Sequence, residues 1–278
     1  MKIRKLYIFS ILIILSLTLG ACRLSSIGFT LANLPTLFSD RPDIPNIAYD
    51  HHNHYLDLYR PASINKDHTA PVIIFFYGGG WVSGNKESYQ FVAKTLVNQG
   101  YVVAIVDYDK YPKVIYPTFV TQGAEAVKWV YRHIAAYGGD IDRLYIMGHS
   151  AGAYIAAMLA IEDSYLNQKI PIKGVIGLSG PYHFTPDESP YTEIFPKSTY
   201  HDMKVTNHVN GNEPDFLLLH GAADELVGVQ NTDALCAALK KCQKRLYPNL
   251  THIGILKEFA WPYSRKSEVL SDISKFIK

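Results

Sequence analysis

The sequence predicts an α/β protein: a mostly parallel twisted sheet with helices on both faces and a small cap-like insertion. Three observations carry this. Apolar runs alternate with helical patterns after residue 50. The runs lack the polar alternation of half-exposed strands, so they suit strands buried on both faces. One run, Tyr145–Met147, passes directly into Gly148-His149-Ser150-Ala151-Gly152 and then into an alanine-rich helical segment.

Residues 1–21 read as a lipoprotein signal peptide. Lys2, Arg4 and Lys5 form a basic start, and Leu6 to Leu19 is an uncharged apolar run. A bilayer span takes about 20 apolar residues, so this run is short for one. Leu19-Gly20-Ala21-Cys22 resembles the bacterial lipoprotein signal, in which small residues precede a cysteine that is lipidated and becomes the new N-terminus. The alternative is an ordinary signal peptide cut near Ala21. Lipidation at Cys22 implies a protein of the bacterial cell envelope held to a membrane by its N-terminus. Arg23 follows Cys22 where inner-membrane retention uses Asp, which favours the outer membrane. Residues 22–50 hold scattered prolines and no sustained period, and are expected to form a tether and N-terminal arm.

Residues 51–278 are expected to form the α/β domain. Its strand candidates are His54–Tyr59, Val72–Tyr77, Tyr101–Val106, Tyr145–Met147, Gly174–Leu178, Phe216–Leu219 and Arg245–Tyr247. Helical spacing of apolar residues marks Ser88–Asn98, Thr118–Tyr137, Tyr154–Ala160, Thr232–Lys241 and Ser267–Ile277. Strand and helix in alternation give a parallel sheet covered on both faces. Residues 182–213 break the rhythm with Pro186, Pro190 and Pro196 among five aromatics, and read as an insertion over the sheet's edge. Cys236 and Cys242 would stand about 9 Å apart along an unbroken helix, too far for a disulfide. A bridge therefore requires the helix to end near Lys240, and both outcomes stay open.

Charge excludes some partners. The chain has 27 basic and 25 acidic residues. Without the three basic residues of the signal peptide, 24 face 25, and nothing points to nucleic acid.

In open parallel sheets, chemistry gathers at the carboxyl ends of the strands. Ser150 stands at such an end, where Gly148 and Gly152 allow a turn too tight for Cβ atoms. The helix that follows aims its N-terminus at the same point, which favours developing negative charge. A serine needs a base to take its proton. Leu217-Leu218-Leu219-His220-Gly221-Ala222-Ala223-Asp224 is an apolar strand ending in an acid, with Glu225 and Asp233 as alternatives. Thr251-His252-Ile253-Gly254 then supplies a histidine in a loop. The order Ser150, Asp224, His252 is the order expected of this kind of sheet. His149 and His220 read as structural neighbours. His51, His52 and His54 cluster without a nearby Cys or Glu, so no metal site is expected. Oxyanion donors are expected from the Ala151 amide and from Gly78-Gly79-Gly80, which follows an apolar strand. No Gly-Lys-Ser/Thr follows those glycines, which excludes a nucleotide P-loop.

These motifs resemble the α/β-hydrolase superfamily, in the carboxylesterase branch with a His-Gly-Gly-Gly oxyanion loop. That branch includes hormone-sensitive-lipase-like esterases, kynurenine formamidases and isoprenylcysteine methylesterases. The resemblance runs over about residues 53–278. It rests on Gly78-Gly79-Gly80-Trp81, Val106-Asp107-Tyr108, Tyr137-Gly138-Gly139-Asp140 with Arg143, Gly148-His149-Ser150-Ala151-Gly152, Ser179-Gly180-Pro181-Tyr182, and the Asp224 and His252 contexts. It implies Ser150 as nucleophile, His252 as general base and acid, and Asp224 as the orienting carboxylate. It implies oxyanion donors at Gly79, Gly80 and Ala151. Two residues depart from the pattern: Tyr77 stands where the glycine loop usually has histidine, and Asp109 where arginine is common.

The resulting expectation is a serine hydrolase cleaving short-chain or aromatic acyl esters through an acyl-enzyme, with no cofactor. Trp81 and the aromatics of residues 182–213, Tyr182 among them, are expected to line the substrate pocket; the alternative is that those aromatics only pack the insertion. Alternatives are an amidase or formamidase of the same fold, a lysophospholipase facing the membrane, and a non-catalytic binding lipoprotein on a hydrolase frame.

Overall fold

The computed structural model describes residues 42–64, 68–166 and 170–277. The signal peptide at 1–21, Cys22 and the tether up to residue 41 lie outside the described residues. The strands are β1 (Ile44–Ala48), β2 (Tyr55–Tyr59), β3 (Ala70–Phe76), β4 (Val102–Val106), β5 (Gly139–His149), β6 (Ile172–Leu178), β7 (Asp215–Gly221) and β8 (Cys242–Tyr247). The helices are α1 (Gln90–Asn98), α2 (Thr118–His133), α3 (Ala151–Ile161), α4 (Tyr191–Ile194), α5 (Gln230–Ala238), α6 (Gly254–Lys257) and α7 (Glu268–Phe276).

All eight strands join one sheet in the order β1-β2-β4-β3-β5-β6-β7-β8. β1 and β2 are antiparallel to their neighbours, and every pair from β4 to β8 is parallel. β4, β3 from Val72 onward and the second half of β5 are buried throughout, as their largely apolar sequences demand. Thr95 of α1 donates to the Phe259 carbonyl, and Gln99, just past α1, accepts from Ser274 of α7, so these helices share one face. On the other face α2 packs against α3, where an added Cβ on Gly123 would stand 3.0 Å from Ile155. Ten of the eleven residues of α3 are buried, because the insertion covers the side that the sheet does not.

Two sequence expectations shift. The sheet begins inside the segment expected to be a tether and arm: Ile44 and Ile47 of β1 pair with Leu58 and Leu56. Pro45 and Asn46 interrupt the pair, and Asn46 takes φ 54 with its amide donated to Asp57 Oδ1 at 2.8 Å. That irregularity erases the alternation a strand would show in sequence. The insertion at 182–213, expected over the sheet's edge, instead lies on α3 and the segment leading into α2. The hydroxyls of Tyr154 and Tyr116 donate to the carbonyls of Met203 and Asp202, each at 2.8 Å.

Helix α5 ends at Ala238 and Leu239 is extended, so the chain turns back into β8. Cys236 and Cys242 then come within 5.4 Å, Cα to Cα, and form a disulfide. Closing so short a loop restricts the unfolded chain modestly. Replacing both cysteines with alanine is expected to lower the unfolding free energy by about 2 kcal/mol without changing turnover, as read by urea denaturation.

Candidate active site

The turn from β5 to α3 holds Ser150 at φ 54, ψ −123. A non-glycine residue there costs about 1–3 kcal/mol and persists only where its surroundings leave no alternative. The close packing of the turn supplies that constraint. A Cβ on Gly148 would stand 2.3 Å from the carbonyl of Gly152. One on Gly152 would stand 2.0 Å from the carbonyl oxygen of Phe76 at the end of β3. The Ser150 amide donates to Leu178 at 2.9 Å, and its carbonyl accepts from Tyr154 at 3.1 Å. Ser150 is thus fastened to β6 and α3 with its hydroxyl at the N-terminus of a buried helix.

Asp224 and His252 arrive on the turns after β7 and β8. Nδ1 of His252 stands 2.8 Å from Oδ2 of Asp224. The other carboxylate oxygen accepts from the amides of Leu226 at 3.0 Å and Val227 at 2.9 Å. Burial pushes this carboxyl up, but the hydrogen bonds from His252 and the Val227 and Leu226 amides outweigh it and hold it at about 2. An ionised carboxylate only accepts, so His252 Nδ1 carries the proton between them, and of the two ring nitrogens Nε2 is the one available to act as a base. Among the described residues no hydrogen bond joins Ser150 to the imidazole. A loose nucleophile–base link is common in the absence of substrate.

His149 brings the pieces together. Its Nε2 donates to the His252 carbonyl at 3.0 Å, and the two rings lie 4.9 Å apart. Its Nδ1 faces the Tyr89 hydroxyl at 3.4 Å, and that hydroxyl accepts from the Gly78 amide at 3.2 Å. One buried neutral imidazole therefore ties the glycine loop to the loop that carries His252. Burial, reinforced by the neighbouring His252, pushes His149 down to about 3. His220 is also buried, with Nδ1 at 2.8 Å from Thr232 Oγ1 and Nε2 at 2.9 Å from the Val227 carbonyl. It braces the Asp224 turn.

The glycine loop follows β3. Gly79 and Gly80 take φ 137 and 60, conformations open to glycine. The Gly78 amide is engaged by Tyr89, whereas those of Gly79, Gly80 and Ala151 have no acceptor among the described residues. These three amides are the donors expected for an oxyanion.

The pocket expectation is corrected. Trp81 is 2% exposed and Tyr182 is fully buried. Trp81 meets Phe195 edge-on at 4.8 Å and Tyr154 edge-on at 5.3 Å, and stacks on Phe119 and Phe184. Tyr182 fills the space over Gly177. Both residues serve as core beneath the insertion, because a ring next to an apolar strand end gains more by burial than by lining a wet cleft. Tyr191, another of the insertion's aromatics, does come to the glycine loop: a Cβ on Gly80 would stand 3.0 Å from its hydroxyl.

The family model BD-FAE matches residues 56–239. The chain belongs to the BD-FAE family. It is an α/β-hydrolase, in fold and in relatives. It is 30% identical over 243 residues to an isoprenylcysteine alpha-carbonyl methylesterase of Arabidopsis thaliana, covering 76% of this chain and 56% of the relative. It is 29% identical over 208 residues to esterase LipQ of Mycobacterium tuberculosis (66% and 49% covered). It is 33% identical over 180 residues to a kynurenine formamidase of Salmo salar (64% and 59% covered). The chain thus spans about half to three-fifths of the length of these curated relatives. The fold matches a truncated carbohydrate esterase from gut microbiota with a TM-score of 0.72, at 20% identity and with 86% and 99% of the chains covered. It matches Thermogutta terrifontis esterase 2 phosphoramylated by tabun with a TM-score of 0.69, at 21% identity and with 84% and 95% covered.

The state of His149 makes a pH prediction. An imidazole neutral in the fold but protonated in the unfolded chain below about 6.5 contributes stability above that pH. The contribution is lost as pH falls toward about 3. In His149→Gln, the urea midpoint is expected to fall less between pH 7 and pH 4 than in the wild type.

Proposed function

We propose that this protein is a serine hydrolase of carboxylic esters. The observation that carries the proposal is the juxtaposition at the strand ends. An ionised Asp224 holds His252 in the base tautomer, on the loop that His149 ties to the strained turn of Ser150. The relatives named as esterases support the same chemistry.

In this reading the Ser150 hydroxyl attacks the ester carbonyl and passes its proton to Nε2 of His252. The carbonyl oxygen becomes an oxyanion facing the amides of Gly79, Gly80 and Ala151, each worth about 3 kcal/mol in comparable sites. Collapse expels the alcohol, which takes the proton from His252, and leaves an acyl-Ser150. Water, deprotonated by His252, attacks the acyl carbon, and the carboxylic acid departs as the proton returns to Ser150. Asp224 stays ionised throughout and stabilises the imidazolium.

Short or flat acyl groups suit the site. Burial and the nearby Glu188 raise the Tyr191 phenol, so it stands neutral and protonated beside Gly80. Phe184 and Phe195 fill the space behind Trp81. Val82 and Leu226, on the glycine loop and the acid turn, are exposed and suit an apolar substrate.

A formamidase is the second reading. The Salmo salar relative favours it, and the same residues cleave a formamide by the same steps. Assays in parallel with aryl acetates and N-formyl aromatic amines separate the two by their kcat/KM ratio. On either substrate, Ser150→Ala is expected to abolish turnover and fluorophosphonate labelling. His252→Ala is expected to cut kcat by at least about 10³. A wild-type protein that is folded yet takes no label would support a binding role instead.

We also propose that Cys22 is acylated and holds the protein to a membrane of the bacterial envelope. The apolar run and small residues before it support this. Cys22→Ser is expected to move the protein from the membrane pellet to the soluble fraction on ultracentrifugation.

A further inference from the structure

The glycine loop departs from the superfamily pattern at Tyr77, and the structure gives that residue an unusual set of partners. Tyr77 is fully buried. Its hydroxyl donates to Oδ1 of Asp107 and accepts from Nζ of Lys110 at 2.7 Å. Lys110 also donates to Asp107 at 3.1 Å. The same ammonium lies 5.1 Å from the centroid of the Tyr77 ring and 5.4 Å from that of Tyr108, and the two rings stack at 4.7 Å.

The segment after β4 grips the glycine loop at two further points. The Tyr108 hydroxyl donates to the Tyr77 carbonyl at 2.8 Å, and the Tyr111 amide donates to the Trp81 carbonyl at 2.8 Å. Gly84, where the loop closes, leaves room for the Tyr77 ring: a Cβ there would stand 2.9 Å from Cδ2 of Tyr77 and 2.5 Å from the Gly78 carbonyl oxygen. The ring is wedged between the two ends of the loop. A shift of Tyr77 therefore moves the peptide units that carry the Gly79 and Gly80 amides.

We infer that Lys110, acting through Tyr77 and Asp107, is a positioning residue that sets the geometry of the oxyanion amides. A cation at this point does two things that a neutral residue cannot. It neutralises Asp107, so the carboxylate accepts from Tyr77 without pulling water under the ring. It also gives the Tyr77 hydroxyl a charge-assisted donor at 2.7 Å, which holds the phenol more firmly than a neutral donor would. Lys110 is partly exposed, so its removal costs the fold little, whereas its lever on the loop is direct. The inference rests on the reading of Gly79 and Gly80 as oxyanion donors.

The test uses the full chain, aryl acetates, and an aryl trifluoromethyl ketone whose adduct carries an oxyanion. Lys110→Met is expected to lower kcat about 10- to 100-fold with KM changed less than about twofold, since a displaced donor loses part of what a deleted one loses. The ketone's Ki is expected to rise by the same factor as kcat/KM falls. Lys110→Arg keeps most of the turnover. Tyr77→Phe reproduces the defect, and the double variant is no worse than the single ones, as expected of groups acting as one unit. A Lys110→Met enzyme with wild-type kcat overturns the inference. So does a loss of kcat that leaves the ketone's Ki unmoved. If Lys110→Met does not fold, Tyr77→Phe and Lys110→Arg decide it on the same readouts. Wild-type turnover and labelling check the underlying reading separately, and the ratio of variant to wild type checks the role of Lys110.

Discussion

The approach of α3 to the end of β3 is the constraint on which the site depends. Gly152 lies against the carbonyls of Phe76 and Tyr77 so closely that no side chain fits between them. That contact fixes the start of α3, and with it the left-handed backbone of Ser150. It also fixes the point at which β3 gives way to the glycine loop. Nucleophile and oxyanion donors are thereby set relative to each other by main-chain packing, before any side chain contributes. The strain at Ser150 is sustained by a core of fully buried strands that cannot relax without losing close packing.

Around this fixed centre the other groups are hung by directed polar contacts. Asp224 is held by two amides of its own turn, so its orientation does not depend on its partner. His149 links three loops while remaining uncharged, which lets it be buried at no cost in unpaired charge. Elsewhere an ion pair is buried on both sides: Lys86 meets Asp57 at 3.2 Å, both almost inaccessible. Losing one partner of such a pair typically costs about 3–5 kcal/mol, so this pair locks the turn that leads into α1 onto β2.

Much of this was legible in the sequence because it follows from local requirements. Gly148, Ser150 and Gly152 announce a tight strand-to-helix turn, and an uninterrupted run such as Val72–Phe76 announces a strand buried on both faces. Asp224 and His252 could be ranked because each follows a strand at the end where the site had to be. Other features have no local signature. β1 hides behind Pro45 and Asn46, whose irregular backbone is satisfied only by Asp57, eleven residues on. The ends of α5 and β8 decided the Cys236–Cys242 pairing, and end positions depend on tertiary packing more than on propensity. The burial of Trp81 and Tyr182 was misread for a similar reason. An aromatic residue beside a glycine loop has the same sequence whether it faces substrate or five other rings. Tyr89, Lys110 and Tyr191 acquire their places only once distant loops meet.

The irregular first strand has one more effect. At that margin of the sheet Pro45 offers no amide, and the amide of Asn46 is turned inward to Asp57. At the opposite margin β8 carries Lys244 and Arg245 exposed along its length. An incoming strand from a second molecule would meet missing donors on one side and crowded cations on the other. Both features disfavour growth of the sheet from copy to copy where the protein is concentrated.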